Sequence, residues 1–292
     1  MKIRVYVVLF VMFSVAAFPA TAQTALQIVP LARYDMLATP DVTVHAPSAG
    51  VLLAAPATIF VGTYGIESVE SRRFHAAELL VDHASRRARY VGAFSTRSDE
   101  PVTGGWNTVQ AAAVAGYQLA HGDRGSFTLG GGLAVGDFGI TTSQGAVWPL
   151  LPVPFIAASY TGEFFSAGFD FITGPNVNLL VGREDALHVV ADARMDQFRD
   201  LRDLVFDAAL MFRMLGLGVA NTTYSYDRAG SPETQEVGAW TAFARVDITL
   251  ASLTAGYVID SWTRRDDTTS NFAGGGFYLA VEAMLPLGGD RE

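Results

Sequence analysis

Apolar and polar residues alternate along this chain in segments of about ten residues, and this period restricts the fold more than any other feature. From Leu187 onwards, apolar side chains alternate with His188, Asp192 and Arg194. In a helix, with about 100° between residues, these polar side chains would scatter around the cylinder, whereas in a strand they share one face. The pattern predicts β-strands with one apolar face and one face of charges, glycines and small polar residues.

Segments of this kind recur along the chain, with turn residues between them. The candidate strands lie at 57–68, 74–83, 88–97, 107–120, 126–137, 151–160, 163–172, 177–182, 186–195, 203–213, 216–227, 237–248, 252–262 and 273–286. Repeated ten-residue alternation with intervening turns is typical of transmembrane β-barrels. The sequence therefore predicts an all-β fold, a transmembrane antiparallel up-and-down β-barrel of about 12–14 strands.

The composition agrees with a barrel in lipid. Half of the residues are hydrophobic, charged residues make up 17%, and the mean hydropathy is +0.27. A soluble chain of this length usually carries more charge. A membrane barrel accounts for the imbalance because its apolar side chains face lipid instead of filling a core.

The first residues have the pattern of a secretory signal peptide. Lys2 and Arg4 precede an uncharged apolar run, and the small residues Ala20 and Ala22 then offer a cleavage site before Gln23. We expect three regions: a signal peptide at 1–22, a barrel at 57–292, and between them, at 23–56, a periplasmic lead-in, an extra strand or a partial plug.

The connections between the candidate strands alternate in length. Short turns are expected at 121–125, 161–163, 183–185 and near 250–252, and longer polar loops at 98–105, 139–149, 228–236 and 263–271. Outer-membrane barrels have short periplasmic turns and longer extracellular loops. The alternation predicts the bacterial outer membrane as the location, with both termini in the periplasm.

Charge and cysteine content exclude several classes of function. Without the signal peptide, the chain has 18 arginines and no lysine against 29 acidic residues, a net charge of −11. Such a surface argues against nucleic acid as a partner. The absence of cysteine excludes thiolate metal sites and cysteine catalysis. We expect no metal and no cofactor. The expected partners are outer-membrane lipid, lipopolysaccharide and, during insertion, the barrel assembly machinery.

The polar faces of the candidate strands would line the lumen of the barrel. The candidate binding residues on these faces are Asp170, His188, Asp192, Arg194, Asp207, Arg213, Arg245 and Asp247. Because unpaired charges inside a low-dielectric wall are costly, one interpretation is a network of ion pairs that fills a narrow barrel. The other is the polar lining of a channel.

Aromatic residues lie near the ends of many candidate strands, where amphipathic rings favour the headgroup level of a bilayer. The expected girdle residues are Trp106, Trp148, Tyr160, Tyr224, Tyr226, Trp240, Tyr257 and Trp262.

Catalytic patterns are sparse. The spacing of His83 and Ser85 resembles that of lipid A deacylases, which act on the outer surface of a barrel, but the adjoining Arg86 and Arg87 indicate a turn. No Ser–His–acid set falls on one face of adjacent candidate strands. We therefore predict no catalytic residues and a protein that is not an enzyme.

One segment resembles a known family. It contains Leu129-Gly130-Gly131-Gly132-Leu133, the Pro-rich run 148–155, Phe165-Ser166-Ala167-Gly168-Phe169 and Gly174-Pro175. Over 127–180 the sequence is similar to the C-terminal half of the lipid A palmitoyltransferase barrel, whose catalytic residues lie outside the matching part. The resemblance implies the barrel architecture and not the activity. Similar patterns occur in outer-membrane barrel families of unknown function.

The sequence leaves three hypotheses for function. The first is a non-enzymatic, porin-like barrel that passes small solutes or serves as a structural component of the envelope. The second is a lipid-modifying outer-membrane enzyme, and the third is a surface-binding barrel that acts through its loops.

Overall fold

A computed structural model describes residues 27–69, 72–98, 108–122, 125–136, 152–170, 176–183, 185–195, 204–227, 234–248, 250–265 and 268–284. Within these ranges the chain forms sixteen antiparallel strands that close into one barrel, in which each strand pairs with its neighbours in sequence and β1 pairs with β16. The strands are β1 (Gln27–Ala38), β2 (Thr43–Ala55), β3 (Thr58–Val69), β4 (Arg72–Ala84), β5 (Ala88–Ser98), β6 (Thr108–Gly122), β7 (Gly125–Gly136), β8 (Val153–Gly162), β9 (Phe165–Asp170), β10 (Asn176–Gly182), β11 (Leu187–Met195), β12 (Leu204–Phe212), β13 (Leu215–Asp227), β14 (Thr234–Ile248), β15 (Ala251–Arg265) and β16 (Thr268–Met284). No helix in the described ranges is long and apolar enough to cross a membrane.

The all-β, up-and-down barrel predicted from the sequence is confirmed, but it has more strands than the expected 12–14. The fourteen candidate segments correspond to β3–β16, and the two further strands, β1 and β2, come from the region before residue 57. Pro30 and Pro47 lie inside these two strands. Because proline cannot donate to a ladder and is rare within sheets, these residues concealed the strands in the sequence. The signal peptide expected at 1–22 lies outside the described residues.

The two faces of the wall follow the predicted alternation. On the outer face the apolar side chains are exposed, for example Leu217 at 69% and Leu210 at 50%, whereas their inward neighbours Ala220 and Ala209 are buried. In β15, the alternation of Leu253, Ala255, Tyr257 and Ile259 with Thr254, Gly256 and Asp260 predicts an inward Asp260, and this prediction is wrong. A bulge between Val258 and Asp260 shifts the register of β15, so Asp260 stands opposite the outward Trp240 and is exposed.

The two ends of the barrel differ in part as predicted: the longer connections all lie at one end, but three connections at that end have four residues or fewer. One end of the barrel, here called the terminal end, contains the start of β1, the end of β16 and a set of short connections. These connections have four residues or fewer and lie at 56–57, 85–87, 123–124, 163–164, 183–186, 213–214 and 249–250. At the opposite end, the loop end, lie the connections 39–42, 70–71, 99–107, 137–152, 171–175, 196–203, 228–233 and 266–267.

The prediction of a loop at 263–271 is wrong. The β15–β16 ladder continues through the pairs Trp262–Asn271 and Arg264–Thr269. Polar residues occupy this part of the hairpin because the strands extend past the outward apolar residues Tyr257 and Phe277. A strand outside the apolar belt has no need of apolar side chains, and its sequence therefore resembles a loop.

Much of the inner wall is apolar and buried. The upper apolar cluster, at the loop end, consists of Leu37, Val42, Val44, Ala46, Val69, Phe74, Tyr224, Val237, Ala239 and Val258. The lower apolar cluster, on the inner faces of β2–β7, consists of Leu52, Ile59, Val61, Leu80, Val91, Ala112 and Ala134. The polar groups of the lumen occupy the rest of the inner wall: many lie on β10–β16, and others, such as Arg33, Asp35 and Asp82, lie on β1 and β4.

Candidate functional site

A cavity in the lumen with a volume of about 230 Å³, here called the larger cavity, lies against β10–β12, β14–β16 and β1. Its charged lining residues in the described part of the chain are Arg33, Asp192, Asp207, Arg245, Asp247 and Glu282. Two guanidinium groups thus face four carboxylates, and His188 also lines the cavity. With all four carboxylates ionised and a neutral histidine, the formal net charge of the lining is −2.

Arg33 anchors the seam where the barrel closes. Its Nε and Nη2 donate to the two carboxylate oxygens of Asp35 over 2.6 and 2.9 Å, and both residues are buried. From the partner strand β16, the hydroxyl of Tyr278 donates to Asp35 over 3.1 Å, and Glu282 lies 3.8 Å from the Arg33 guanidinium. The alternation of β1 places Arg33 and Asp35 on the same inward face, so their bidentate pair forms without distortion of the strand.

Arg245 is held by a second group of contacts. Its Nη2 donates to Asp207 over 3.3 Å, and its Nε donates to the hydroxyl of Thr254 over 3.2 Å. The guanidinium also lies 5.1 Å from the centre of the Phe243 ring. That ring lies flat against Gly218, where an added Cβ would come within 2.4 Å of it. The glycine therefore lets a large side chain lie along the wall and support the arginine.

Asp192 and Asp207 stand directly opposite each other on β11 and β12. Side chains at such positions have Cβ atoms about 4.5–5.5 Å apart, so the two carboxylates repel each other. Asp192 is 9% exposed, and within the described part of the chain its Oδ2 atom has no hydrogen-bond partner. Arg194, two residues further along β11, attracts it electrostatically. This carboxylate is the part of the wall best placed to accept a hydrogen bond from a cationic solute.

A smaller cavity of about 170 Å³ lies against β5–β10. Arg89 donates to Asp82 through two hydrogen bonds, of which the one from Nε measures 2.9 Å. Asp170 and Asn178 line the same cavity from β9 and β10. Asn178 also stands directly opposite Asp192, so the two cavities adjoin at β10 and β11.

The structure brings five of the eight predicted candidates together around the larger cavity: His188, Asp192, Asp207, Arg245 and Asp247. Asp170 lines the smaller cavity instead. Arg194 faces inward and is buried, but it lines neither cavity.

The lumen position expected for Arg213 is wrong. This residue lies in the turn at 213–214, with a φ of 53°, and it is exposed. Its guanidinium lies 5.6 Å from the ring centre of Phe212, which faces outward. The two-residue turn ends the alternation one position earlier than the pattern indicated, and the side chain turns to the outer rim.

Sequence reasoning missed Arg33, Tyr278 and Glu282. The last two were detectable, since Phe277, Leu279 and Val281 alternate with Tyr278, Ala280 and Glu282. Arg33 belongs to β1, the strand that its proline concealed.

His83 and Ser85 do not form a catalytic pair. The Nδ1 atom of His83 lies 2.8 Å from the hydroxyl of Thr58, and its ring stacks on Tyr90. The Ser85 hydroxyl donates to the carbonyl oxygen of Ala88 over 3.1 Å, which closes the turn at 85–87. Both side chains are thus engaged with other groups, and the turn is where the sequence placed it.

The aromatic girdle is present in part. Tyr160, Trp240 and Tyr257 are exposed on the outer face, as expected. Tyr224 and Trp262 are each 2% exposed: Tyr224 faces inward in the upper apolar cluster, and Trp262 lies across Gly238. The exposed girdle position expected for these two residues is therefore wrong. Outside the described residues, or without a described side chain, are Trp106, Trp148 and Tyr226.

No protein-family model and no curated protein matches the sequence. By structure, the chain is similar to CdiB from Acinetobacter baumannii, with a TM-score of 0.50 and 8% identity over 90% of this chain and 60% of CdiB. The likeness agrees with the closed, antiparallel up-and-down barrel. The chain spans less than two thirds of CdiB, and at this identity the likeness concerns the fold alone.

Two further matches have lower TM-scores. A bacterial polysaccharide outer membrane secretin matches with a TM-score of 0.39 and 10% identity, over 91% of this chain and 99% of the secretin. OccK5 (OpdH) from Pseudomonas aeruginosa matches with 0.35 and 9% identity, over 90% of this chain and 98% of OccK5. The structural comparisons contain no lipid A palmitoyltransferase, so only the barrel architecture implied by the resemblance at 127–180 is confirmed.

Proposed function

We propose that the protein is an outer-membrane pore for small solutes that prefers cations. The observation that carries this proposal is the excess of carboxylates around the larger cavity, whose lining in the described part of the chain has four carboxylates, of Asp192, Asp207, Asp247 and Glu282, and two guanidinium groups, of Arg33 and Arg245. A cleft of one charge sign with low-dielectric walls concentrates counter-ions. Rings of Asp and Glu select cations in channels by the same effect.

The size and lining of the cavity limit the class of solute. A volume of about 230 Å³ suits ions and small organic molecules. The apolar residues that line the cavity, such as Val190 and Met211, would contact the carbon skeleton of an organic cation. We therefore favour inorganic cations and small amines over sugars or anions.

A second candidate function is a closed barrel that serves as a structural component of the envelope. The upper apolar cluster supports it, because side chains such as Leu37, Val44 and Val237 are fully buried at the loop end. An open aqueous entrance along these strands would leave them exposed. The two candidates differ in one property, the passage of ions.

Conductance in planar bilayers tests the pore. In a tenfold KCl gradient, the refolded wild-type barrel should show discrete channels whose reversal potential indicates a preference for K⁺ over Cl⁻. Asp192→Asn removes a carboxylate that lacks a hydrogen-bond partner on Oδ2 in the described structure, so the fold should tolerate it. The interaction energy of two unit charges 4 Å apart in water is about 1 kcal/mol. Without the Asp192 carboxylate, the ratio of K⁺ to Cl⁻ permeability should therefore fall by about fivefold.

The matched control is Asp260→Asn, which removes the same charge from the exposed outer face. Its permeability ratio should equal that of the wild type. Wild-type protein that is folded but never conducts would exclude the pore and support the closed structural barrel. An equal effect of both substitutions would show that selectivity does not arise in this cavity.

We propose the bacterial outer membrane as the location, with lipid and lipopolysaccharide around the apolar outer face and the barrel assembly machinery as the partner during insertion. The support is the outward apolar belt together with the difference between the two ends. In this orientation the loop end faces the outside of the cell, and both termini face the periplasm.

Surface labelling tests the orientation. An epitope tag inserted at 228–233, between β13 and β14, should be accessible to antibody on intact cells. A tag at the turn 163–164 between β8 and β9 should be labelled only after the outer membrane is permeabilised. Labelling of 163–164 alone on intact cells would show that the barrel is inserted the other way round.

A further inference from the structure

The outer face of the first two hairpins carries the same tyrosine–histidine pair twice. The Tyr34 hydroxyl lies 2.7 Å from Nδ1 of His45, and the Tyr64 hydroxyl lies 2.5 Å from Nδ1 of His75. In both pairs the partners are 11 residues apart in sequence. The ring centres are 6.2 and 6.0 Å apart, with interplanar angles of 34° and 37°. Two copies of one geometry on β1–β2 and β3–β4 indicate a common role.

Both pairs lie on the outer face, near the loop end. His45 and His75 are the third and fourth residues of β2 and β4, which begin at that end. The strand register places His45 opposite Ser68 of β3, and Ser68 opposite Arg73 of β4. Arg73 is exposed and precedes His75 by two residues on the same face.

His45, Ser68 and Arg73 form a row across β2, β3 and β4 that brings several hydrogen-bond donors together. Adjacent strands are about 4.8 Å apart, so His45 and Arg73 lie roughly 10 Å apart on either side of Ser68. A tyrosine hydroxyl that donates to Nδ1 leaves the imidazole proton on Nε2, from which it can be donated outward. The arginine and serine supply further donors. Together these groups form a set of donors that suits the oxygens of a phosphate group.

Among the described residues, no carboxylate opposes these donors on their own face. The outward positions of the described parts of β1–β4 contain neither aspartate nor glutamate, although the chain has 29 acidic residues. Glu67 and Glu78 belong to the same strands but occupy inward positions. The face is therefore basic on a protein that is acidic overall.

The outward positions next to this row are apolar, with Ala49 on β2, Ile66 on β3 and Ala77 on β4. Further along the same three strands and the same face, Val51, Phe60 and Leu79 are exposed at 41%, 41% and 48%. A ligand bound at His45, Arg73 and His75 would have its headgroup on the donors and its acyl chains on these side chains. This continuity favours a lipid over a free anion, and the loop end favours the outer leaflet.

We propose that the outer face of β1–β4 binds a phosphate group of a phosphorylated glycolipid in the outer leaflet, the class to which lipid A belongs. His45, His75 and Arg73 donate to the phosphate oxygens, Tyr34 and Tyr64 orient the two imidazoles, and Ser68 lies between them. The site is on the outside of the barrel and is independent of conduction through the lumen.

Binding of lipid A to the refolded full-length protein in detergent, measured by native mass spectrometry, tests this site. Each charge-assisted hydrogen bond to phosphate supports affinity by about tenfold. The double variant His45→Phe/His75→Phe and the single variant Arg73→Met, which remove these donors, should therefore each weaken binding by about tenfold or more. His83→Phe, an equivalent substitution at the terminal end, should bind as the wild type does.

Two ligand controls separate the sources of phosphate. Dephosphorylated lipid A should bind at least tenfold more weakly than lipid A to the wild type and should not distinguish the variants. Inorganic phosphate at millimolar concentration should compete poorly. The proposal is overturned if the variants bind lipid A as the wild type does, if dephosphorylated lipid A binds equally well, or if inorganic phosphate binds through His45 and His75 while lipid A does not. Heat-modifiable migration on gels verifies that each variant is folded.

Discussion

Replacing Arg33 with methionine is expected to lower the free energy of unfolding of the barrel by about 3–5 kcal/mol. The guanidinium forms two hydrogen bonds with Asp35 and lies near Glu282, and Arg33 and Asp35 are only 8% and 2% exposed. Without Arg33, two carboxylates would remain at the β1–β16 seam with no guanidinium beside them. The cost comes mainly from the buried charge of Asp35, because its desolvation is no longer compensated.

Guanidinium titration of the refolded barrel in lipid vesicles, followed by tryptophan fluorescence, measures this loss. The double variant Arg33→Met/Asp35→Leu should recover most of the stability, since a buried pair replaced by apolar side chains is often close to neutral. Arg183→Met removes an equivalent pair with Asp185, but in an exposed turn, and should change nothing measurable. A loss below about 1 kcal/mol for Arg33→Met would show that the seam pair acts like a surface pair.

Replacing Ala244 with arginine is expected to lower the free energy of unfolding by about 2–4 kcal/mol, the cost of a cation near the bilayer midplane on the lipid face of a barrel. Ala244 is exposed and outward, midway along β14 between Trp240 and Ile248. Its neighbours across the ladder are Leu217 and Ala255, so the new charge would be surrounded by apolar groups.

The matched control is Ile248→Arg on the same face of the same strand. Ile248 is the last residue of β14, next to the turn, where a cation reaches the headgroups and costs about 0–1 kcal/mol. The same titration in vesicles compares the two variants. Equal losses at both positions would show that the apolar belt is centred elsewhere along the strand. If Ala244→Arg had no effect on stability and Thr241→Arg caused a large loss, the inward and outward faces of β14 would be assigned the wrong way round.

The alternation of apolar and polar residues was sufficient by itself to predict the barrel architecture and part of the residues that line the lumen. In β11 and β12 it separated the outward Leu187 and Leu210 from the inward His188, Asp192 and Asp207, because a strand sends successive side chains to opposite faces. The same rule failed at Asp260 and Arg213. A bulge inserts one residue and a tight turn reverses the chain, and neither leaves a mark in a two-residue period.

The sequence by itself determined that this protein is a β-barrel with an apolar outer face, a charged lumen and two unequal ends, since each of these properties follows from local period and composition. Only the tertiary structure decided the rest. Arg33 and Asp35 meet Tyr278 across a seam that joins the first strand to the last, and this closure depends on the number of strands and their register around the whole barrel. The pairing of Asp192 with Asp207, the buried apolar clusters and the repeated tyrosine–histidine pairs arise in the same way, from contacts between strands that a single-strand pattern does not contain.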